Sequence, residues 1–447
     1  MRYTQITDEQ RERMLSAIGA KSIDDLFSTI PPELRFKGDL KVPRGISELE
    51  LLRDTESLAA KNHDCTKAVC FLGGGAYDHF IPTVVDALST QSEFLTAYTP
   101  YQAEASQGIL QLFYEFQTMV CLLTGMEVAN ASLYEVASAA AEAVLMALSI
   151  TGRKRVLVSE SLHPDTRRVM ATYLAQQNAE IATIPARDGV MDEGAMTSAL
   201  NDSTAAVVVQ SPNFFGCLER LDRIIPAVHA AGALAIVSTD PIACGILKPP
   251  GAFDADIVVA EGQALGIPLQ YGAPYLGLIA TREKFLRKLP GRVVGQTRDL
   301  EGRRGFCLAL QTREQHIKRE RATSNICTNQ GLFAIRASIH MAALGRQGIG
   351  KVANQCFDKA HYAAGRIAKL KGYEIAFAAP FFKEFTVRTT RGVDQAMTKC
   401  RERGIFGGVA LARFDTRFED CFLVAVTEKR TKAEIDNLIA ALDAVGV

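Results

Sequence analysis

The chain has 447 residues, 48% hydrophobic and 22% charged, with 50 basic against 50 acidic side chains and a formal net charge of zero. That length calls for two or three domains. The balanced charge argues against nucleic acid as a partner, and no uninterrupted apolar run approaches a membrane span. Ten cysteines include no C-x-x-C pair, so no metal is expected, and thiols scattered through apolar runs fit a reduced, cytoplasmic compartment. The polar first eleven residues carry no apolar signal core.

Residues 1–62 read as a helical arm. Thr7-Asp8 can cap a helix, Ser22 to Phe27 suggests a second short one before Pro31-Pro32, and residues 46–62 a third with a Leu face. Met14, Leu15, Ile18, Leu26 and Phe27 have few local partners, so the arm is expected to lie on another surface, either a second subunit or its own body. Gly73-Gly74-Gly75 allows close backbone approach, but it is not G-x-G-x-x-G and no clear strand precedes it, which argues against a dinucleotide loop. His79, just beyond, is expected to make a structural hydrogen bond.

The organising stretch runs from Thr96 to Met146. A loop, Tyr98-Thr99-Pro100-Tyr101-Gln102-Ala103-Glu104, precedes apolar residues at helical spacing from Ile109 to Leu123, with Gly125 as a stop. Asn130 to Glu135 then open an Ala-rich helix. From Arg155, short β-branched runs alternate with helices: 156–158, 181–184, 206–209, 233–237, 257–259 and 276–279. That pattern predicts a mostly parallel sheet covered on both faces. His163, Asn213 and Asp240 each follow one of these strands, where the carboxyl ends of a parallel sheet line a ligand crevice. Capping of the following helix would account for any one of them, but less well for all three together.

Residues 295–305 lack apolar periodicity and are expected to form a long loop with local charge pairing. A helix from about 329 to 345 follows. From about 350 a smaller α/β unit is expected: helix 351–371, strands near 382–389, 408–413 and 421–427, and helices 393–403 and 431–445. Thr431 and Glu434 have the spacing of a capping box. The domain reading is thus 1–62, 63–330 and 331–447.

Four blocks carry a resemblance: Tyr98-Thr99-Pro100-Tyr101-Gln102; Asn130-Ala131-Ser132-Leu133-Tyr134; Glu261-Gly262-Gln263-Ala264-Leu265-Gly266-Ile267-Pro268; and Leu310 to Glu320 with Ala322 to Gln330. Together they resemble the glycine cleavage system P-protein over essentially the whole chain, in the form whose N-terminal half is a separate subunit 1. The resemblance implies the α/β large-domain, small-domain fold of type I pyridoxal-phosphate (PLP) enzymes. It also implies a reaction: glycine is decarboxylated on PLP, and the aminomethyl group passes to the lipoyl arm of the H-protein. Such chemistry needs a lysine for the cofactor, an acid against its pyridine nitrogen and donors for its phosphate.

Aligned by the family's spacing, Gln263 falls at the lysine position, with Pro268 following, and an amide cannot form a Schiff base. Lys248 and Lys284 lie too far along the chain to substitute. Asp240 sits where the pyridine partner would be, and His163 where a cofactor-stacking residue would be; both are expected to be vestigial. Glu135 stands at the helix start that would hold the phosphate, where it would repel a dianion. The implied protein is a half without a cofactor lysine and without catalytic residues of its own, paired in an α2β2 assembly with a subunit 2 that holds the PLP. Tyr98, Tyr101, Gln102, Glu104 and Asn325 are candidates for a wall facing that partner's site. The Arg303-Arg304 segment is the candidate contact for an acidic H-protein. A stand-alone PLP enzyme and a purely scaffolding or regulatory subunit are the alternatives.

Overall fold

The computed structural model describes residues 5–272 and 274–446. They divide into two compact units, 1–62 and 63–447. In the first, α1 (Asp8–Ala17) and α2 (Glu48–Ala59) each begin with a reciprocal capping box, Thr7 with Gln10 and Ser47 with Glu50. Between them, the segment expected as a short helix is a 3-10 turn, Asp24–Phe27. Neither helix buries a residue, and Met14, Leu26, Phe27 and Leu52 are exposed.

The second unit is built on a seven-stranded sheet. In chain order its strands are β1 (Val128–Ala129), β2 (Arg155–Ser159), β3 (Glu180–Ile184), β4 (Thr204–Gln210), β5 (Leu234–Thr239), β6 (Ile257–Glu261) and β7 (Gly277–Thr281). The spatial order is β1-β7-β6-β5-β4-β2-β3. The run from β3 to β6 is parallel, and β7 is antiparallel to both of its neighbours. Successive residues point to opposite faces, and both faces are dry. Leu157, Val207, Ala235 and Val258 pack with the helix α3 (Gln107–Thr124). Val156, Val208, Ile236 and Val259 pack with the Ala-rich α4 (Val136–Thr151). Two-sided burial is why these strands read as unbroken apolar runs. Gly125 ends α3 in the left-handed conformation, at φ 71°.

The segment expected as a loop is instead a hairpin, β8 (Val293–Arg298) and β9 (Arg304–Ala309), paired over six residues. Its base is buried and its outer half is solvated, so the alternation a half-buried strand needs never develops in sequence. The expected local charge pairing is present at its tip: Arg303 contacts Asp299 at 2.7 Å and Glu301 at 2.8 Å. A short strand, Val69–Cys70, does precede the triple glycine, paired with Ile405–Phe406. Two residues are too few to register as a strand in sequence.

A long helix, α5 (Gly331–Ile367), breaks at Gly345, where φ is 59°. It leads to an antiparallel sheet of β10 (Tyr373–Ile375), β11 (Glu384–Thr389), β12 (Val409–Ala410) and β13 (Cys421–Ala425), in the order β10-β11-β13-β12. The last helix, α6 (Lys432–Asp443), carries the Thr431–Glu434 capping box that the sequence predicts. No helix of the described residues is long and apolar enough to cross a membrane.

Candidate functional site

The carboxyl edge of the parallel strands meets the start of β11 and the Gly73–Tyr77 loop. A cavity of about 50 Å³ lies there, lined by residues that include Tyr77, Val136, His163, Thr239, Asp240 and Glu261. The structure therefore brings His163 and Asp240 together, as strand-end residues of a parallel sheet should be. Asn213 is not with them. It is buried in the chain, donating to the Gly189 carbonyl and to Glu219, each at 2.7 Å.

Gln263 is 2% exposed and fully engaged. Its amide nitrogen donates to the carbonyls of Ile267 (2.8 Å) and Tyr77 (3.1 Å), and its oxygen accepts from the Tyr77 N–H (2.9 Å). The side chain is a clamp between two backbone segments. Lys248 lies over the Phe253 ring, and Lys284 pairs with Asp256 at 3.8 Å. Neither lines the cavity.

Asp240 is occupied by a residue that sequence reasoning missed. Lys383, 1% exposed just before β11, places its ammonium 2.6 Å from Asp240 Oδ2, 2.8 Å from His79 Nε2 and 3.8 Å from the centre of the Tyr77 ring. An ammonium can only donate, so His79 Nε2 accepts. His79 Nδ1–H then donates to Glu428, 2.7 Å away. Burial alone would raise the Glu428 carboxyl, but the hydrogen bonds from His79 and from the Phe80 N–H outweigh it and hold the group below its ordinary value. A buried chain thus runs Asp240–Lys383–His79–Glu428, and His79 has the structural role expected of it.

Next to Lys383, Glu384 accepts from the Gly74 N–H (2.7 Å) and the Tyr77 hydroxyl (2.9 Å). Burial pushes its carboxyl up to about 7, from 4.5. Between those two pH values the folded chain keeps a proton that the unfolded chain has released, so this group's contribution to stability falls as pH rises. Glu384→Gln, whose amide can still accept from Gly74 and donate to Tyr77, removes that dependence. Its stability relative to the parent chain is expected to rise by about 1–3 kcal/mol between pH 5 and pH 8. Thermal melts across that range measure the difference.

His163 Nδ1 accepts from the Asp165 N–H at 3.1 Å, so its Nε2–H donates to the Gly74 carbonyl at 2.8 Å. Burial pushes its pKa down, which keeps the ring neutral. It caps its helix and also packs edge-on to Phe214, with ring centres 4.9 Å apart. The N-terminus of α4 is closed as well. Glu135 accepts from the Ser138 N–H (2.7 Å), while Glu261 accepts from the N–H groups of Val136 (3.1 Å), Leu276 (2.9 Å) and Gln263 (3.1 Å). Burial pushes the Glu261 carboxyl up to about 8 against the pull of those donors. Sequence placed Glu135 at this end; Glu261, beside the Gln263 block, carried no signal as a cap.

A second cluster lies where α4 begins. Asn130 donates to the Pro290 carbonyl (3.0 Å), Asn329 to the Ala131 carbonyl (2.7 Å), and the Cys327 N–H to the Tyr134 hydroxyl (3.3 Å). Arg292, another residue missed in sequence, ties this knot to the aromatic loop. It donates to the Tyr101 oxygen (3.3 Å), the Cys327 carbonyl (2.8 Å), Asn329 (3.0 Å) and Thr328 (3.4 Å). Tyr101 also meets the His316 ring edge-on at 5.7 Å. Asn325 accepts from Gln315 at 3.1 Å and is exposed. Tyr98 is 87% exposed, and Gln102 and Glu104 lie exposed before α3. Three of the four sequence blocks thus meet in one surface cluster, while Tyr98, Gln102 and Glu104 extend outward from it. In the candidate carrier contact, Arg303 is engaged by its own hairpin's acids and Arg304 lies over the Phe306 ring.

The model of the glycine cleavage system P-protein family matches residues 1–442. A curated relative from Desulforamulus reducens, the probable glycine dehydrogenase (decarboxylating) subunit 1, is 49% identical over 445 residues and covers 100% of both chains. The crystal structure of the glycine decarboxylase (P-protein) of the glycine cleavage system, in inhibitor-bound form, superposes with a TM-score of 0.93 at 42% identity, covering 100% of both chains. C-DES, in a mutant with glycine covalently linked to its PLP cofactor, shares only the fold: TM-score 0.61 at 14% identity, over 82% of this chain and 94% of that one. The architecture is that of type I PLP enzymes, yet the residues here do not fit the cofactor. Gln263, which the family's spacing sets at the lysine position, is a clamped amide, and the Val136 and Ser138 N–H groups at the start of α4 are bound to carboxylates. Asp240 is neutralised by Lys383, and about 50 Å³ is far below the roughly 300 Å³ or more of ordinary ligand pockets. Matched from end to end in sequence and in structure, the chain belongs to the glycine cleavage system P-protein family.

Proposed function

We propose that this chain is the lysine-free half of a glycine decarboxylase, working with a homologous subunit 2 that carries the PLP lysine. The pair would release the carboxyl group of glycine as carbon dioxide and hand the aminomethyl carbon and nitrogen to one sulfur of the oxidised lipoyl arm of H-protein, leaving the other sulfur as a thiol. The observation that carries the reading is Gln263: the position that must hold an amine holds an amide spent on the Tyr77 and Ile267 backbone. The chain's share of the work is then to complete the partner's site. Tyr98, Tyr101, Gln102, Glu104 and Asn325 supply the exposed wall, with Tyr101 anchored by Arg292. An α2β2 assembly and a cytoplasmic location belong to the same reading; all ten thiols are free, as a reducing compartment keeps them.

Mixing tests it. The purified chain is expected to show no glycine–bicarbonate exchange and no covalent PLP, and exchange is expected to appear when the lysine-bearing subunit and lipoylated H-protein are added. Full exchange by this chain alone, or borohydride fixation of PLP to one of its lysines, would establish a stand-alone enzyme instead. Activity that survives removal of both Tyr98 and Tyr101 side chains within an intact complex would mark the chain as a scaffold.

A further inference from the structure

Arg292 is 4% exposed and has no carboxylate within ion-pair distance among the described residues. Its four partners are neutral oxygens: the Tyr101 phenol, the Cys327 carbonyl, Thr328 Oγ1 and Asn329 Oδ1. Its Nε–H has no partner at all among the described residues. Buried guanidinium groups are ordinarily paired, because an uncompensated buried charge is costly. This one is a positive charge without a counterion, and the group between it and solvent is a tyrosine that is 53% exposed.

The donor rules then fix the phenol. A guanidinium has only donors, so the Tyr101 oxygen accepts, and its own O–H must point away from Arg292. No described residue takes that proton. The edge of the His316 ring packs against the phenol ring, and the Arg292 guanidinium carbon sits 5.5 Å from the ring centre, so the side chain is held in place although half exposed. The result is a positioned O–H donor, backed by a cation and directed out of the chain. Such a donor is matched to an oxyanion, for which a hydrogen bond is roughly twice as strong as to a neutral oxygen.

We propose that Tyr101, positioned by Arg292, donates a hydrogen bond to an oxyanion of a small molecule bound in the partner subunit's site, and so takes part in its binding. This rests on the function proposed above, in which the partner's site holds two oxyanion-bearing groups, a substrate carboxylate and a cofactor phosphate. Arg292 acts through Tyr101 as a positioning residue.

The test uses the assembled complex of this chain with the lysine-bearing subunit, comparing wild type with Tyr101→Phe, Arg292→Gln and Arg292→Lys. Complex affinity is followed by sedimentation, PLP affinity by equilibrium dialysis, and KM and kcat for glycine by bicarbonate exchange. Tyr101→Phe, which keeps the ring, is expected to assemble as wild type does. A rise of about 10- to 100-fold in KM for glycine with unchanged PLP affinity assigns the oxyanion to the substrate carboxylate. A comparable loss of PLP affinity assigns it to the phosphate. Arg292→Gln is expected to move the same constant in the same direction, with Arg292→Lys recovering part of the loss. If Tyr101→Phe leaves both constants at the wild-type value, the proposal is overturned. The same holds if only complex affinity falls, which would mean the phenol bonds an acidic side chain of the partner. A wild-type pair that fails to assemble or to exchange bicarbonate rejects the function itself, and this proposal with it. That result is read before any variant is made.

Discussion

Lys383→Met is expected to lower the stability of the chain by about 3–5 kcal/mol, with a fall in melting temperature on the order of 5–10 °C. Methionine matches the lysine stem, so the loss is one of charge rather than packing. It would leave Asp240 buried without its cation and His79 Nε2 without its donor. The double substitution Lys383→Met with Asp240→Asn strands no charge. It is expected to recover at least half of the loss, because replacing a whole buried pair is far cheaper than breaking it. Denaturant unfolding of the two single variants and the double gives the coupling directly. A Lys383→Met chain as stable as wild type would mean that the pair contributes nothing to the fold.

Gln263→Lys is expected to fail as a repair. The new amine enters a space whose polar atoms are arranged around an amide: the Tyr77 N–H would lose its acceptor, and a buried ammonium would face two carbonyls. A cost of about 2–4 kcal/mol is expected from the unmet donor and the desolvated charge. No PLP is expected to attach, because Lys383 still covers Asp240 and the α4 donors still serve Glu135 and Glu261. Incubation with PLP followed by borohydride and mass measurement checks this. A single added cofactor at residue 263 would show that one side chain alone separates this chain from a cofactor-binding half.

How far the sequence could be read depended on whether the signal was local. The parallel sheet was legible because two-sided burial writes itself as continuous β-branched runs, and α6 because Thr431 and Glu434 sit three residues apart. Gln263 stood out because it falls inside a distinctive block with a fixed spacing to Pro268, but its clamp on the Tyr77 backbone, 186 residues away, did not. Lys383 was not legible, since it meets Asp240 from 143 residues away and no motif surrounds it. Arg292 was hidden in the same way, as its partners come from the aromatic loop and the 327–329 segment. Glu261 stood inside a recognised block, but two of its three backbone donors, Val136 and Leu276, come from outside it. The hairpin at 293–309 escaped because its exposed half is dense in charge and glycine, the composition of a loop.

The chain from Asp240 through Lys383 to His79 and Glu428 joins the edge of the parallel sheet to the start of β11. Swinging the two layers apart would part the Lys383 ammonium from the Asp240 carboxylate, and would tear Gln263 from the Tyr77 backbone as well. Such a latch makes this half mechanically stiff, an anvil rather than a jaw. On the function proposed above, any opening and closing during turnover would fall to the partner subunit.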